Sequence, residues 1–341
     1  MNEAPGPELA GALRKNDETI VLVEEETDPA HGKEPGKRSV EELFELGLVV
    51  LDKQVGPSSH EVTAWAARIC GSRRAGHAGT LDPNVSGVLP VGLNDATKAM
   101  GFLLKSKKEY VGIIRFHKVI DEKNVKRAFR AFTGEISQLP PVRSAVRRRE
   151  RKRKVYYLEA LEYNGPEVLF LVGCEAGTYI RKLCFDIGKF TGTGANMLEL
   201  RRTKSGALAE KEAVTLQDLS DAFWLWKESG AEGELRRCVR PIEDAVDIRR
   251  VWLRDAAVEA VCSGAQLAVP GIARIEGGAS KGETVALMTL KGELVAIAEM
   301  AVAGEALRKM KEGIAVKTRR VIMKKGTYPK MWKTHGRNAS G

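Results

Sequence analysis

No two of the five cysteines, Cys70, Cys174, Cys184, Cys238 and Cys262, form a CxxC pair, and their number is odd. That excludes a disulfide framework and points to a reduced, intracellular protein, which we place in the cytoplasm. The five histidines are scattered, with no HExxH and no His/Cys cluster, so a protein-bound zinc is not expected. No stretch approaches the roughly 18 apolar residues of a membrane span. The opening MNEAPGPELAGALRKNDE has no apolar core and does not read as a signal peptide. No internal repeat is visible.

What is present is an ordinary globular balance with a basic excess. The 341 residues are 43% hydrophobic and 29% charged, enough for about two or three domains. The formal net charge of +10 points to a polyanionic partner, most often nucleic acid. RSAVRRRERKRK, Arg143 to Lys154, concentrates that charge, with eight basic residues and one acid in twelve positions. Such a block cannot be buried, so it reads as an exposed loop or strand edge. Arg147, Arg148, Arg149, Arg151 and Lys152 are candidate contacts to a phosphate backbone. A localisation signal or a plain solvated face are the other readings.

The pattern of elements is mixed. Residues 1–17 are rich in Pro, Gly and Ala and are expected to be disordered. ETIVLVEEE reads as a short strand, and GLVVLDK as a buried one. Ser58 offers a helix cap, with Glu61 completing a capping box before Val62, Trp65, Ala66 and Ile69. YVGIIRFH is a strand, and Val125, Ala128, Phe129 and Phe132 mark a helix after Asp121. VYYLEAL and VLFLVGC flank an Asn164-Gly165-Pro166 turn. Ile180, Leu183, Cys184 and Ile187 form a further helical stripe. Such irregular alternation predicts an α+β fold with a mixed sheet. From Asp247 the texture becomes β-rich, with DAAVEAVCSG helix-like, AQLAVPGIARIEGG a Gly/Pro loop, and TVALMTLKGELVAIAEM a hairpin through Lys291-Gly292-Glu293.

GHAGTLDPNVSGVLPVG places one carboxylate, Asp82, in a glycine-rich apolar run. Pro83 forces Asp82 into an extended conformation and so fixes where it points. Gly76 and Gly79 permit close backbone approach, and Leu81, Val85, Val88 and Leu89 suggest an apolar wall. An ionised carboxylate there calls for a cationic partner. Nucleophile, general base and metal ligand all suit a lone Asp, and an Asp that merely caps a turn is the plainer reading. The absence of a second carboxylate argues against a glycosidase site. A nucleophile held by an arginine fits better.

LDKQVGPSSHEV, GHAGTLDPNVSGVLPVG, KEYVG, EAGTYIRKLCFDIG and ELRRTKSG, in this order, resemble the TruB/dyskerin family of pseudouridine synthases. The resemblance runs from about Gly47 to Gly206 and continues through PIEDAV. The AVPGIARI region looks like a PUA domain. The motifs are most similar to archaeal dyskerin-type proteins, the catalytic subunits of H/ACA ribonucleoproteins; long lysine-rich tails typical of eukaryotic relatives are absent. The resemblance implies that Asp82 is the essential aspartate and nucleophile, that Arg181 pairs with it, and that Tyr110 stacks on the target base. It implies an apolar contact from Leu200, displacement of the target nucleotide by His77, and support from Lys53, which we group with the substrate-binding residues. Gln54 and Ser58 depart from the family's usual proline and threonine, and HKVID replaces a more usual turn after the KEY strand.

The resemblance also sets the organisation: an arm over 18–45 packed on a PUA domain at 247–330, a catalytic domain over 46–246, and a loose tail at 331–341. Gly264, Ala265, Leu267, Pro270 and Gly271 become candidate contacts to a guide RNA, with Gly264 and Gly271 removing side-chain obstruction. No cofactor is implied. The implied partners are guide and substrate RNA, small Gar-type and Nop-type proteins and a kink-turn-binding ribosomal-like protein. The competing readings are a stand-alone tRNA uridine isomerase, a catalytically idle RNA-binding scaffold and a DNA-binding protein.

Overall fold

A computed structural model of the chain describes residues 18–139 and 149–331. Residues 1–17, the tail beyond 331, and Arg147 and Arg148 lie outside the described residues. The chain divides into two compact units, one from Leu48 to Arg240 and one formed by the residues on either side.

The 48–240 unit is built on a mixed ten-stranded sheet. Strands Gly47–Lys53, Ser86–Leu93, Ala195–Ser205, Lys108–Phe116, Glu167–Cys174, Arg151–Asn164 and Gly134–Gln138 lie side by side in that order. Each of these neighbouring pairs is antiparallel except Ser86–Leu93 with Ala195–Ser205, which run parallel at Ser86↔Arg201 and Gly87↔Arg202. That crossing is close. A Cβ on Gly87, whose φ is +102°, would lie 2.2 Å from the Arg202 carbonyl oxygen. Only glycine fits there.

Local chemistry explains the helices. Ser58 accepts the Glu61 amide and Glu61 returns to the Ser58 amide, opening helix Ser59–Ile69. Asp121 caps Glu122–Ala131 through the Asn124 amide. Val125, Ala128 and Phe129 of that helix share one core with Leu183, Cys184 and Ile187 of helix Ile180–Thr191 and with Ile114, Phe170 and Val172 of the sheet. Each of the larger side chains contributes about 1.5–3 kcal/mol by leaving water.

The second unit holds a seven-stranded sheet in the order Thr19–Val21, Ile272–Glu276, Arg250–Leu253, Thr284–Met288, Leu294–Met300, Ile314–Val321 and Leu267–Ala268. Gly292, at φ +83°, turns the hairpin between Thr284–Met288 and Leu294–Met300. Helix Asp255–Cys262 adds Val258 and Val261 to the core of this sheet. Arg38 and Glu243 meet in a bidentate pair at 2.8 Å for both bonds, and Glu243 also accepts the Leu294 amide.

One expectation needs correction, and one segment gains an element. AQLAVPGIARIEGG is not wholly a loop: its IARIE portion forms strand Ile272–Glu276, in which Ile272, Ala273 and Ile275 are buried. GVLPVG, to which the sequence pattern assigns no element, belongs to the central strand Ser86–Leu93 despite Pro90. The first unit also contains helix Leu216–Ser229, opened by a Thr215/Asp218 capping box and closed by left-handed Gly230.

Candidate active site

The loop that carries Asp82 is tied down on both sides. The buried Ser59 hydroxyl donates to the Leu81 carbonyl at 2.9 Å and accepts the Leu81 amide at 2.8 Å. The Lys53 ammonium donates to the carbonyls of Gln54, Pro83 and Val85 at 2.9, 3.3 and 2.8 Å. The Gly56 amide donates to the Pro83 carbonyl at 2.9 Å. These bonds fix the backbone before and after Asp82 and leave its side chain free to project.

That side chain meets Arg181, in the first turn of helix Ile180–Thr191. Arg181 Nη2 donates to Asp82 Oδ2 at 2.6 Å and to Asn84 Oδ1 at 3.4 Å. Both charged groups stay open to solvent, at 54% exposure for Asp82 and 55% for Arg181. The expected apolar wall therefore does not enclose Asp82. Leu81 and Val85 turn into the core beneath the loop, with Tyr110, Ile180 and Leu200 in the same cluster, while Asp82 between them faces outward.

Tyr110 lies on strand Lys108–Phe116 and is buried; burial pushes its phenol up from its ordinary value. The Arg202 guanidinium and the Asp82 carboxylate both lie near enough to act on the Tyr110 phenol electrostatically. His77 ends the short strand Ala75–His77 and is half-buried. Its Nδ1 is 3.2 Å from Thr63 Oγ1, its Nε2 is 3.3 Å from Thr80 Oγ1, and the His60 ring meets it edge-on at 4.8 Å. Burial, then His60 and Arg202, push the His77 imidazole below its usual value.

Lys53 is wholly buried, and its three bonds all go to backbone carbonyls. It is placed to hold the loop and not to touch a substrate, which corrects its grouping with the substrate-binding residues. Lys152 pairs with Glu135 at 2.7 Å on the sheet's outer strands, and Arg149, Arg151 and Lys152 make no described contact with Asp82 or Arg181. In the second unit Gly264, Ala265 and Pro270 are exposed, and Gly264, at φ +92°, has open space where a Cβ would go. Leu267 is buried in the core. A Cβ on Gly271 would come within 2.9 Å of Ala257 and of Leu267, so this glycine serves internal packing and not approach to a ligand.

Three residues around the loop were not anticipated. Arg202, 1% exposed, donates to the Val88 carbonyl at 2.7 Å and the Gly79 carbonyl at 3.0 Å. Lys108 donates to the Leu103 and Ser106 carbonyls at 3.1 and 2.7 Å, and burial brings its pKa down to about 7. Ser59 is the third. Adjacent arginines on a strand must face opposite ways, so ELRRTKSG already carried a signal that one of Arg201 and Arg202 turns inward. Among the described residues no group of three or more His, Cys, Asp or Glu converges to share a metal ion.

Comparison with known proteins agrees in length and order. Residues 67–180 match the TruB family pseudouridylate synthase N-terminal domain, 181–247 the tRNA pseudouridylate synthase B C-terminal domain, 249–322 the PUA domain and 8–63 the DKCLD domain. The chain is 50% identical over 316 residues to a Methanopyrus kandleri protein named "Probable tRNA pseudouridine synthase B", covering 92% of this chain and 94% of that one. It is similar to a chain of a solved Cbf5-Nop10-Gar1 complex, with TM-score 0.88 and 47% identity over 92% of this chain and 96% of that one. It is also similar to a chain of an H/ACA RNP bound to a substrate RNA containing 2'-deoxyuridine, with TM-score 0.87 and 45% identity over 93% and 98% of the two chains. No described helix is long and apolar enough to cross a membrane.

Proposed function

The chain belongs to the TruB family of pseudouridine synthases, and on that premise we propose that it isomerises uridine in ribosomal RNA under the direction of a guide RNA, as the catalytic subunit of an H/ACA ribonucleoprotein. Its partners in this reading are guide RNA, substrate RNA, small Gar-type and Nop-type proteins and a kink-turn-binding ribosomal-like protein. The likeness to chains of H/ACA assemblies over more than nine-tenths of both lengths supports it. Five cysteines, all buried and unpaired, support a reducing, cytoplasmic setting. Residues 46–246 are the catalytic domain in this reading, 247–330 the PUA domain, and 18–45 an arm on the latter. The antiparallel pairing of Thr19–Val21 with Ile272–Glu276 supports that placement of the arm.

The reaction breaks the N1–C1′ bond of uridine and forms C5–C1′. C5 loses a proton and N1 gains one, so there is no net redox change. The base must first leave its stack, at a cost of a few kcal/mol. Stacking on Tyr110 returns about 1–3 kcal/mol of that. Asp82 acts as nucleophile, needing no base to activate an ionised carboxylate. Arg181 aims it, Leu200 closes the apolar side, His77 meets the displaced nucleotide, and Lys53 holds the loop. Arg149, Arg151 and Lys152 grip RNA backbone, and Gly264, Ala265 and Pro270 offer the open part of the guide-binding surface.

The observation that carries this reading is the 2.6 Å contact between Asp82 and Arg181 on a backbone fixed on both sides. The name of the Methanopyrus relative favours a second reading, in which the chain modifies tRNA by itself. Reconstitution decides. Pseudouridine is mapped in rRNA and tRNA transcripts with and without guide RNA and partner proteins. Dependence on guide supports the first reading; modification of bare tRNA supports the second. In either, Asp82→Asn lowers product formation by on the order of a thousandfold or more with RNA binding retained. Undiminished product from that variant would reduce the chain to a scaffold.

A further inference from the structure

The His77 ring has a defined proton arrangement imposed by a residue outside the family motifs quoted above. Thr63 lies on helix Ser59–Ile69, and its hydroxyl is 2.7 Å from the Ser59 carbonyl oxygen. A carbonyl can only accept, so the single hydroxyl proton of Thr63 is committed to that bond. The same oxygen is 3.2 Å from His77 Nδ1. With its proton spent, Thr63 Oγ1 can only accept from the ring, and His77 carries its proton on Nδ1. This is the less common neutral form of a histidine in water. The other nitrogen, Nε2, then holds a lone pair on the exposed side, where Thr80 is the neighbour at 3.3 Å.

We propose that Thr63 is a positioning residue that locks His77 as the Nδ1–H tautomer, so that Nε2 accepts a hydrogen bond from a hydroxyl or N–H of the bound RNA. The proposal deepens the reading of His77 as a residue that meets the displaced nucleotide, and it rests on that reading. Thr63 is buried at 6% exposure and cannot touch RNA itself. Thr80 is exposed and its rotatable hydroxyl can yield its place to a stronger donor. The chemistry selects a donor on the RNA: a 2′-hydroxyl or a base amino or imino group.

The test has two readouts. With only five histidines in the chain, ring-labelled protein gives a countable set of 15N signals, and His77→Gln identifies the one of interest. In the unmodified protein Nδ1 is expected in the protonated range and Nε2 in the unprotonated range at neutral pH. Thr63→Val, close in shape but unable to accept, is expected to move the ring toward Nε2–H and to raise KM for substrate RNA roughly threefold to tenfold with kcat nearly unchanged. Thr63→Ser keeps a hydroxyl and is expected to restore both. An Nε2–H signal in the unmodified protein, or a tautomer indifferent to Thr63→Val, overturns the lock. A changed tautomer with an unchanged KM overturns the contact to RNA. Substrates carrying single 2′-deoxy substitutions beside the target separate the two donor types, since only loss of the true donor cancels the effect of Thr63→Val. The ring signals are read without RNA, so failure here is distinct from the failure of Asp82→Asn to stop the reaction.

Discussion

Both units bury paired carboxylates, Asp95 and Glu109 in the 48–240 unit among them, but that unit also buries cations with no described carboxylate partner. Beneath the Asp82 loop lie Lys53, Lys108 and Arg202, and every described hydrogen bond of the two lysines goes to a backbone carbonyl. The hydrogen bonds of Arg202 likewise go to two carbonyls, those of Val88 and Gly79. In the other unit the buried charges are mostly carboxylates. Glu243 pairs with Arg38, Glu293 accepts the Tyr328 and Thr289 hydroxyls and the Lys33 amide, and Asp255 accepts from Thr27 and the Asp28 amide. Carbonyl partners let a cation shape nearby backbone without a countercharge. A carboxylate–guanidinium pair joins segments far apart in the chain and cancels the charge. The first device suits a surface that must hold a loop still and attract a polyanion; the second suits a structural joint.

Breaking each device sharpens the contrast. The largest loss of stability is expected for Arg38→Met, which strands Glu243 in the interior and costs about 3–5 kcal/mol. Chemical denaturation checks it, and the protein that remains folded is expected to turn over normally at the Asp82 site. Lys53→Met is expected to cost less stability, about 1–3 kcal/mol for the orphaned carbonyls, yet to lower kcat markedly because the loop is released. Single-turnover rates set beside melting curves separate the two effects; a variant as active as the parent removes Lys53 from the positioning role. Lys108 breaks the contrast through pH. Burial lowers its pKa from the ordinary lysine value of 10.5 to about 7, so between pH 7 and 10.5 the folded chain binds fewer protons than the unfolded one. Stability relative to a Lys108→Met variant is therefore lowest below pH 7 and rises as pH climbs through that window, by up to about 1.4 kcal/mol per pH unit. Urea titrations of both proteins at pH 7 and pH 9 measure it, and a constant gap contradicts the shift.

Much of the frame was legible in the sequence. The capping box at Ser58 and Glu61, the stripe from Ile180 to Ile187 and the hairpin around Gly292 are local patterns, and local patterns survive into the structure. Strand Ser86–Leu93 was hidden by Pro90 and two glycines, which argue for a turn until the neighbours Gly47–Lys53 and Ala195–Ser205 are known. Asp82 and Arg181 stand 99 positions apart, and no periodicity joins them; their pairing came from resemblance to a family. Lys53, Lys108 and Arg202 were harder still. Their partners are carbonyls, which every residue carries, so a side chain bonded to distant backbone leaves no mark in the partner's identity. Gly271 failed for a related reason, since a missing side chain looks the same whether it makes room for a ligand or for Leu267.

Dissolved ions reach the exposed Lys152 and Lys154 on strand Arg151–Asn164, but they cannot enter the space that Lys53 and Arg202 fill. If the basic strand grips RNA as proposed, added salt is expected to loosen that grip long before it weakens the pull those two enclosed charges exert at the loop. In the proposed function, affinity and turnover would then answer to different reservoirs of positive charge, one exchangeable with the buffer and one sealed from it.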